Sequence, residues 1–322
     1  MLINSLNMLF MNTMMIGIMV SVCSSSWLMI WTGLEISLMS FIPLIKENKI
    51  LSSQSSMKYF MIQSISSALL IMSILLSMYK FDMWWIISFT LMMKMGVAPI
   101  HSWVISIVEG LNYKNMIMLF TMLKIPPLMM LSLNNSMNFL FSISSLLWGS
   151  IMGLNQFSIK KMMGYSSIFN MGFIIQSTKN QPLWMSYMLI YFTIISMFLI
   201  TTKKLSINYI NQASTNDINK LNKINLWILM LSMMGMPPLI GFTPKLMVME
   251  LMIEENQFVL TTMMISSSML VSFFYMRLSY SSFMNNSTMT KWSVNLKPKS
   301  NSSLSVMSTI MTPLIISMKC MK

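Results

Sequence analysis

Four ionisable side chains stand where a protein surrounded by water would not need them. Glu35, Lys94, Lys124 and Lys245 each fall inside an otherwise apolar run. A charge at the centre of a membrane helix costs about 2.5–3.5 kcal/mol on insertion scales, so four cost on the order of 10 kcal/mol unless paired or hydrated. Residues kept at that cost usually line an ion path or a proton relay. A buried lysine near an acid can load and release a proton, and a row of such groups joined by water can pass charge along the membrane plane. Each charge moved across the potential is worth about 2.3 kcal/mol per 100 mV. The alternative is that each lysine snorkels to an interface or caps a broken helix. That suits Lys245, whose apolar run ends soon after it. It suits Lys124 poorly, because a long apolar stretch precedes it.

Two of the lysines adjoin helix breakers. In Lys94-Met95-Gly96-Val97-Ala98-Pro99 the ammonium comes just before a Gly/Pro interruption, where carbonyls exposed at the end of a half-helix favour a cation. The run Gly235-Met236-Pro237-Pro238-Leu239-Ile240-Gly241-Phe242-Thr243-Pro244-Lys245 has too many breakers for a continuous helix. Irregular backbone at membrane depth survives only inside protein or along water, and discontinuous helices of this kind are used by secondary transporters. A simple proline kink is a fair alternative for the first run and a weak one for the second. His101, the sole histidine, reads either as a relay group near one end of the path or as a hydrogen-bonded residue stabilising the break. Pro126-Pro127 predicts a kink just after Lys124. Trp27, Trp31, Trp84 and Trp85 read as interfacial anchors.

The elements that must position these residues are membrane helices. Of 322 residues 55% are hydrophobic and only 9% charged, against about 25% charged in a soluble domain; the mean hydropathy is +0.66. Continuous apolar runs, rather than alternating ones, predict an all-α polytopic membrane protein and not a β-barrel. We read eleven segments, at approximately 3–22, 25–45, 57–79, 84–109, 111–133, 138–156, 162–178, 183–203, 225–253, 258–280 and 303–319, forming a single transmembrane domain over 1–322. Segments four (84–109) and nine (225–253) are the discontinuous ones. With this count the alternate loops carry fourteen basic residues on one side and four on the other, with Lys94, Lys124 and Lys245 left inside spans. The positive-inside rule places the richer side, and the N-terminus, in the compartment of synthesis, and the C-terminus opposite.

Composition also excludes several functions. The net charge of +13 is scattered between spans rather than gathered on one face, so nucleic acid is not an expected partner. Cys23 and Cys320 have no CxxC spacing and no histidine cluster, which argues against a zinc site or an iron–sulfur cluster. There is no signal-peptide pattern and no Arg-rich transit peptide. Met occurs 46 times and arginine once, at Arg277. Methionine as a gap-filler among packed helices does not account for that imbalance; an AT-rich genome reading an additional codon as Met does, and many animal mitochondria have one.

The same residues carry a resemblance. Trp31-Thr32-Gly33-Leu34-Glu35 with Phe41-Ile42-Pro43-Leu44, and Lys58-Tyr59-Phe60 with Gln63, resemble consecutive motifs of the chain 2 family of NADH:ubiquinone oxidoreductase, respiratory complex I. Lys94-x-Gly96-x-Ala98-Pro99-x-His101-x-Trp103 with Glu109-Gly110-Leu111, Gly153-Leu154-Asn155-Gln156 with Tyr165-Ser166-Ser167-Ile168, and the proline-rich break ending in Lys245 continue it in order. The likeness spans roughly residues 25–250. The sequence departs from the family pattern at Leu123, Pro126, Gln54, Asn170 and Phe173, none of which removes an intramembrane charge.

The resemblance implies an antiporter-like membrane-arm subunit, shortened by three N-terminal helices, in the mitochondrial inner membrane with its N-terminus in the matrix and its C-terminus in the intermembrane space. It implies that Glu35, Lys94, Lys124 and Lys245 form the central polar axis of proton translocation. It further implies that NADH, FMN, the iron–sulfur clusters and ubiquinone are handled by other subunits, with no cofactor or metal on this chain. Other membrane-arm subunits and lipid, including cardiolipin, are the partners it implies. Two competing readings stay open: a stand-alone secondary cation/proton antiporter, although Glu35 is the only acid we read well inside a span, and a scaffold whose buried charges are idle.

Overall fold

The computed structural model describes residues 2–47, 49–79, 82–133, 138–212 and 220–284. The eleventh predicted segment (303–319), Cys320, and the basic residues Lys80, Lys291, Lys297, Lys299, Lys319 and Lys322 lie outside the described residues. Thirteen α-helices are described: α1 (Leu2–Cys23), α2 (Trp27–Ile45), α3 (Ile50–Met78), α4 (Trp84–Met95), α5 (Ser102–Val108), α6 (Tyr113–Phe120), α7 (Ile125–Ser132), α8 (Asn138–Leu154), α9 (Ile159–Ser177), α10 (Gln181–Leu205), α11 (Lys220–Met234), α12 (Phe242–Glu254) and α13 (Phe258–Met284), with a 3-10 turn at Met122–Lys124. The one β-type pairing among the described residues is an isolated bridge between Ser158 and Tyr209. Among the described residues six stretches, Ser5–Cys23, Trp27–Ile45, Ile50–Met78, Tyr113–Ser132, Gln181–Leu205 and Phe258–Tyr280, are long and apolar enough to cross a membrane. The chain is a multi-pass membrane protein.

The chain divides into two compact units, residues 1–148 with 167–181, and residues 149–166 with 182 onward. In the first, α1 packs on α2, α2 on α3, and α3 on both α4 and α5; α4 also meets α7. In the second, α13 packs against α11 and α12.

The α1–α2 contact shows how packing replaces hydrophobic burial in a lipid-facing protein. Association there depends on close backbone approach, which small residues permit. Gly17 and Ser21 on α1 face Gly33 and Ser37 on α2, a small-xxx-small pair on each helix. A Cβ on Gly33 would lie 2.6 Å from the Ser21 amide nitrogen and 2.7 Å from the Gly17 carbonyl oxygen; one on Gly17 would lie 2.7 Å from the Ser37 nitrogen. The obstructing atoms are backbone and cannot rotate aside. Gly33→Leu is expected to force α1 off α2 at an overpacking cost of about 1–3 kcal/mol, read as a lower yield of assembled chain on blue-native gels. Gly153→Ala, whose Cβ would meet only the Phe274 ring at 3.0 Å, should lower the yield less.

Candidate functional site

Segments four and nine end their first helices in the same way. At the end of α4, Gly96 adopts φ +71°, the Gly96 N–H donates to the Met93 carbonyl at 3.1 Å, and the Val97 N–H reaches back to the Met92 carbonyl at 3.1 Å. At the end of α11, Gly235 adopts φ +82°, its N–H donates to the Ser232 carbonyl at 3.2 Å, and the Met236 N–H to the Leu231 carbonyl at 3.3 Å. Both are Schellman ends, in which a left-handed glycine turns the chain and its neighbours satisfy the last carbonyls. The chain resumes as α5 at Ser102 and as α12 at Phe242.

The two lysines sit differently about these ends. Lys94 lies before its break, buried on the last turn of α4, with its Nζ 3.9 Å from Glu35 Oε1 on α2. Its own carbonyl accepts a hydrogen bond from Gln63 Nε2 on α3 at 3.1 Å. Lys245 lies after its break, buried on the first turn of α12, and its ammonium donates to the Met234 carbonyl at 2.8 Å. So it is Lys245, rather than Lys94, that neutralises the carbonyl end of a helix, here α11, as the dipole there favours. It snorkels nowhere: 4% of its surface is exposed.

Lys124 reveals a feature the sequence reading placed on the wrong side of the residue. The helix of segment five stops before Lys124, at Thr121 (φ −123°, ψ −77°), not after it at Pro126-Pro127. Lys124 closes the 3-10 turn, and the prolines open α7 in its first turn, where a missing N–H costs nothing to the helix they begin. They do, however, return no N–H to the carbonyls of Met122 and Leu123. Lys124 is buried, with its ammonium 5.6 Å from the centroid of the Phe120 ring.

Lys94 and Lys124 line one cavity, with room of about 30 Å³ for water, enough for a couple of molecules. Tyr59, Gln63, Ser37 and Trp103 contribute to its wall. The Trp103 indole packs over Gly96: a Cβ there would meet its Cζ2 at 3.1 Å. The structure thus brings Glu35, Lys94 and Lys124 together within the first unit, while Lys245 belongs to the second.

His101 is half-buried, its Nδ1 3.1 Å from the Pro99 carbonyl and its ring 5.9 Å from that of Trp148. Sequence reasoning left out Glu250, which is half-buried on α12 within predicted segment nine. It also gave Arg277 only a topological role; Arg277 Nη2 donates to the Gln156 carbonyl at 2.8 Å and its guanidinium lies 5.4 Å from the Phe157 ring, tying α13 to the turn between α8 and α9. Among the tryptophans, Trp84 and Trp85 are exposed, and Trp31 Nε1 donates to the Ser67 carbonyl at 3.3 Å. No group of three or more metal-ligating side chains occurs among the described residues, and Cys23 is a free thiol.

Residues 24–85 and 83–272 match the family described as NADH:quinone oxidoreductase/Mrp antiporter, transmembrane. The protein named NADH-ubiquinone oxidoreductase chain 2 from Anopheles gambiae is 38% identical over 94% of this chain and 93% of its own length. A chain of the respiratory complex I structure from Thermus thermophilus superposes with a TM-score of 0.83 at 16% identity, over 95% of this chain and 77% of that one. A chain of the Mrp complex from Dietzia sp. superposes with a TM-score of 0.77 at 12% identity, over 85% of this chain and 60% of its partner in the comparison. An antiporter-like helical fold and a curated relative alignable from end to end lead to one conclusion: the chain belongs to the NADH:quinone oxidoreductase/Mrp antiporter family, with the proteins named NADH-ubiquinone oxidoreductase chain 2 among its relatives.

Proposed function

We propose that this chain is a core membrane-arm subunit of respiratory complex I and contributes to proton translocation across the mitochondrial inner membrane, coupled to electron transfer from NADH to ubiquinone on other subunits. It is enzymatic only as part of that NADH:ubiquinone reductase. In this reading the chain forms a single transmembrane domain of eleven spans. Helices α4 with α5, and α11 with α12, are its two discontinuous spans; the N-terminus lies in the matrix and the C-terminus in the intermembrane space.

The observation that carries the reading is Lys94, buried on the last turn of α4 beside the half-buried Glu35 and lining one water-sized cavity with Lys124, in a chain 38% identical to a protein named NADH-ubiquinone oxidoreductase chain 2. Glu35, Lys94, Lys124 and Lys245 are the relay groups. Glu35 holds the charge of Lys94; Lys124, whose close neighbour is an aromatic ring rather than an acid, is the group that takes up and releases the proton. Lys245, its ammonium held on the α11 carbonyls, gives up a proton from there and regains one to complete the relay. His101 serves at the break of segment four. NADH, FMN, the iron–sulfur clusters and ubiquinone belong to partner subunits, and cardiolipin is among the surrounding lipids.

A stand-alone secondary cation/proton antiporter is the second reading, favoured by the likeness to the Mrp chain. Blue-native electrophoresis of solubilised inner membranes, with mass spectrometry of the band containing this chain, separates the two. Co-migration with NADH-oxidising activity in a very large assembly is the expected result. Migration alone or as a small oligomer sinks the complex I reading and puts the antiporter first.

A further inference from the structure

We propose that the cavity between Lys94 and Lys124 is a resident-water site whose fixed donor is the Trp103 indole N–H, which makes Trp103 a positioning residue for proton passage between the two lysines. The water site stands on geometry alone; the role in proton passage rests on the reading given above. Trp103 is 4% exposed, lines the cavity, and its Nε1 has no hydrogen-bond partner among the described residues. A buried N–H is rarely left unmatched, because its desolvation is then uncompensated. The indole has little room to turn toward a protein acceptor: its ring is seated over the left-handed Gly96, where a Cβ would lie 3.1 Å and 3.3 Å from ring carbons, and it also meets the Tyr59 ring at a centroid distance of 6.1 Å.

A bound water needs two to four polar partners, and the wall supplies them. Besides the indole there are the Tyr59 hydroxyl and the Gln63 amide, whose Nε2 is committed to the Lys94 carbonyl at 3.1 Å and whose Oε1 is left to accept. Ser37 gives its proton to the Leu34 carbonyl at 2.7 Å and keeps its lone pairs. Acceptors therefore predominate around the indole N–H and the two ammonium groups. That distribution holds a water oxygen toward Trp103, with Gln63 and Ser37 as acceptors for its resting protons. In the transfer the water takes a proton from the ammonium of one lysine as it gives one of its own to the other lysine, present as the neutral amine. One N–H bond breaks, one forms and the water is regenerated.

The first test needs no variant. X-ray hydroxyl-radical footprinting of the intact complex oxidises side chains that touch bound water, however deeply buried. Met95 lines the cavity at 2% exposure, whereas Met92 one turn earlier at 1%, and Met130 at 2%, do not. Several-fold faster oxidation of Met95 than of Met92 and Met130, with Trp103 also modified, is the expected result; equal rates for the three methionines overturn the water site. The second test is Trp103→Phe, which keeps the ring over Gly96 and deletes the N–H. Pumping-coupled turnover is expected to fall several-fold with a larger solvent deuterium isotope effect, and an unchanged rate and isotope effect overturn the positioning role. Lys124→Met in the same assay keeps the two failures apart. If Lys124→Met abolishes pumping and Trp103→Phe does nothing, only the role of Trp103 falls; if Lys124→Met itself does nothing, the relay reading falls, while the footprint still decides the water.

Discussion

Lys124→Met is expected to leave the complex assembled and to cut proton pumping on the order of a hundredfold, the lower end of what a positioned acid–base group contributes. Assembly should survive because Met is close to Lys in volume, and replacing a buried charge by a packed apolar side chain is often neutral or stabilising. The substitution removes the contact with Phe120 at 5.6 Å, worth about 0.5–2 kcal/mol, but it also removes the cost of holding an ammonium at 3% exposure. Lys124→Arg decides between a proton carrier and a fixed charge. A guanidinium preserves the cation beside Phe120 but is not deprotonated in proteins. If Lys124 carries the proton, both variants lose pumping alike; if it supplies only positive charge, Arg works and Met does not. Quenching of a pH-sensitive dye in vesicles holding the complex, alongside NADH oxidation and blue-native band intensity, measures all three quantities. Normal pumping by both variants would leave the chain a scaffold.

The sequence revealed most where a single local rule acts alone. Long apolar runs mark helices, and glycine a few residues before proline marks a helix end, so the ends of α4 at Gly96 and α11 at Gly235 were legible. The residues that carry charge at depth were legible for the same reason: nothing about a helix requires Lys94 or Lys245 there. What was not legible depends on reach across the fold. That Glu35 meets Lys94, while Lys245 reaches back from α12 to the carbonyl end of α11, is set by where each lysine stands relative to the glycine turn, three residues before Val97 in one case and ten residues after Gly235 in the other. The interruption at Thr121 was missed because threonine is no strong breaker. Pro126 and Pro127 drew attention to the helix they begin instead of the one that had already stopped. The Gly17–Gly33 crossing was hidden because glycine within an apolar run gives no sign of its partner until two helices are packed.

A large effect on folding is expected at Gly96. Alanine there would be held at φ +71°, and its Cβ would overlap Val104 Cγ2 and lie 3.1 Å from Trp103 Cζ2. The left-handed conformation costs an L-residue about 1–2 kcal/mol, and overpacking about 1–3 kcal/mol more. Valine is branched at Cβ, so its methyl cannot swing aside as a longer side chain would. The yield of assembled complex is therefore expected to fall more than about tenfold, since about 1.4 kcal/mol already suffices for that factor. Two companions divide the cost. Gly96→Ala with Val104→Ala removes the shortest contact and keeps the backbone strain, and should recover part of the yield. Gly96→Asn eases the strain, since Asn visits this conformation more readily, but keeps the clash with Val104 and should recover less. Normal assembly of Gly96→Ala would mean that α4 can continue past Met95 without the turn. Lys94 would then no longer be anchored through its carbonyl to Gln63, and its ammonium would have no fixed place beside Glu35, so the break could not be what positions the pair.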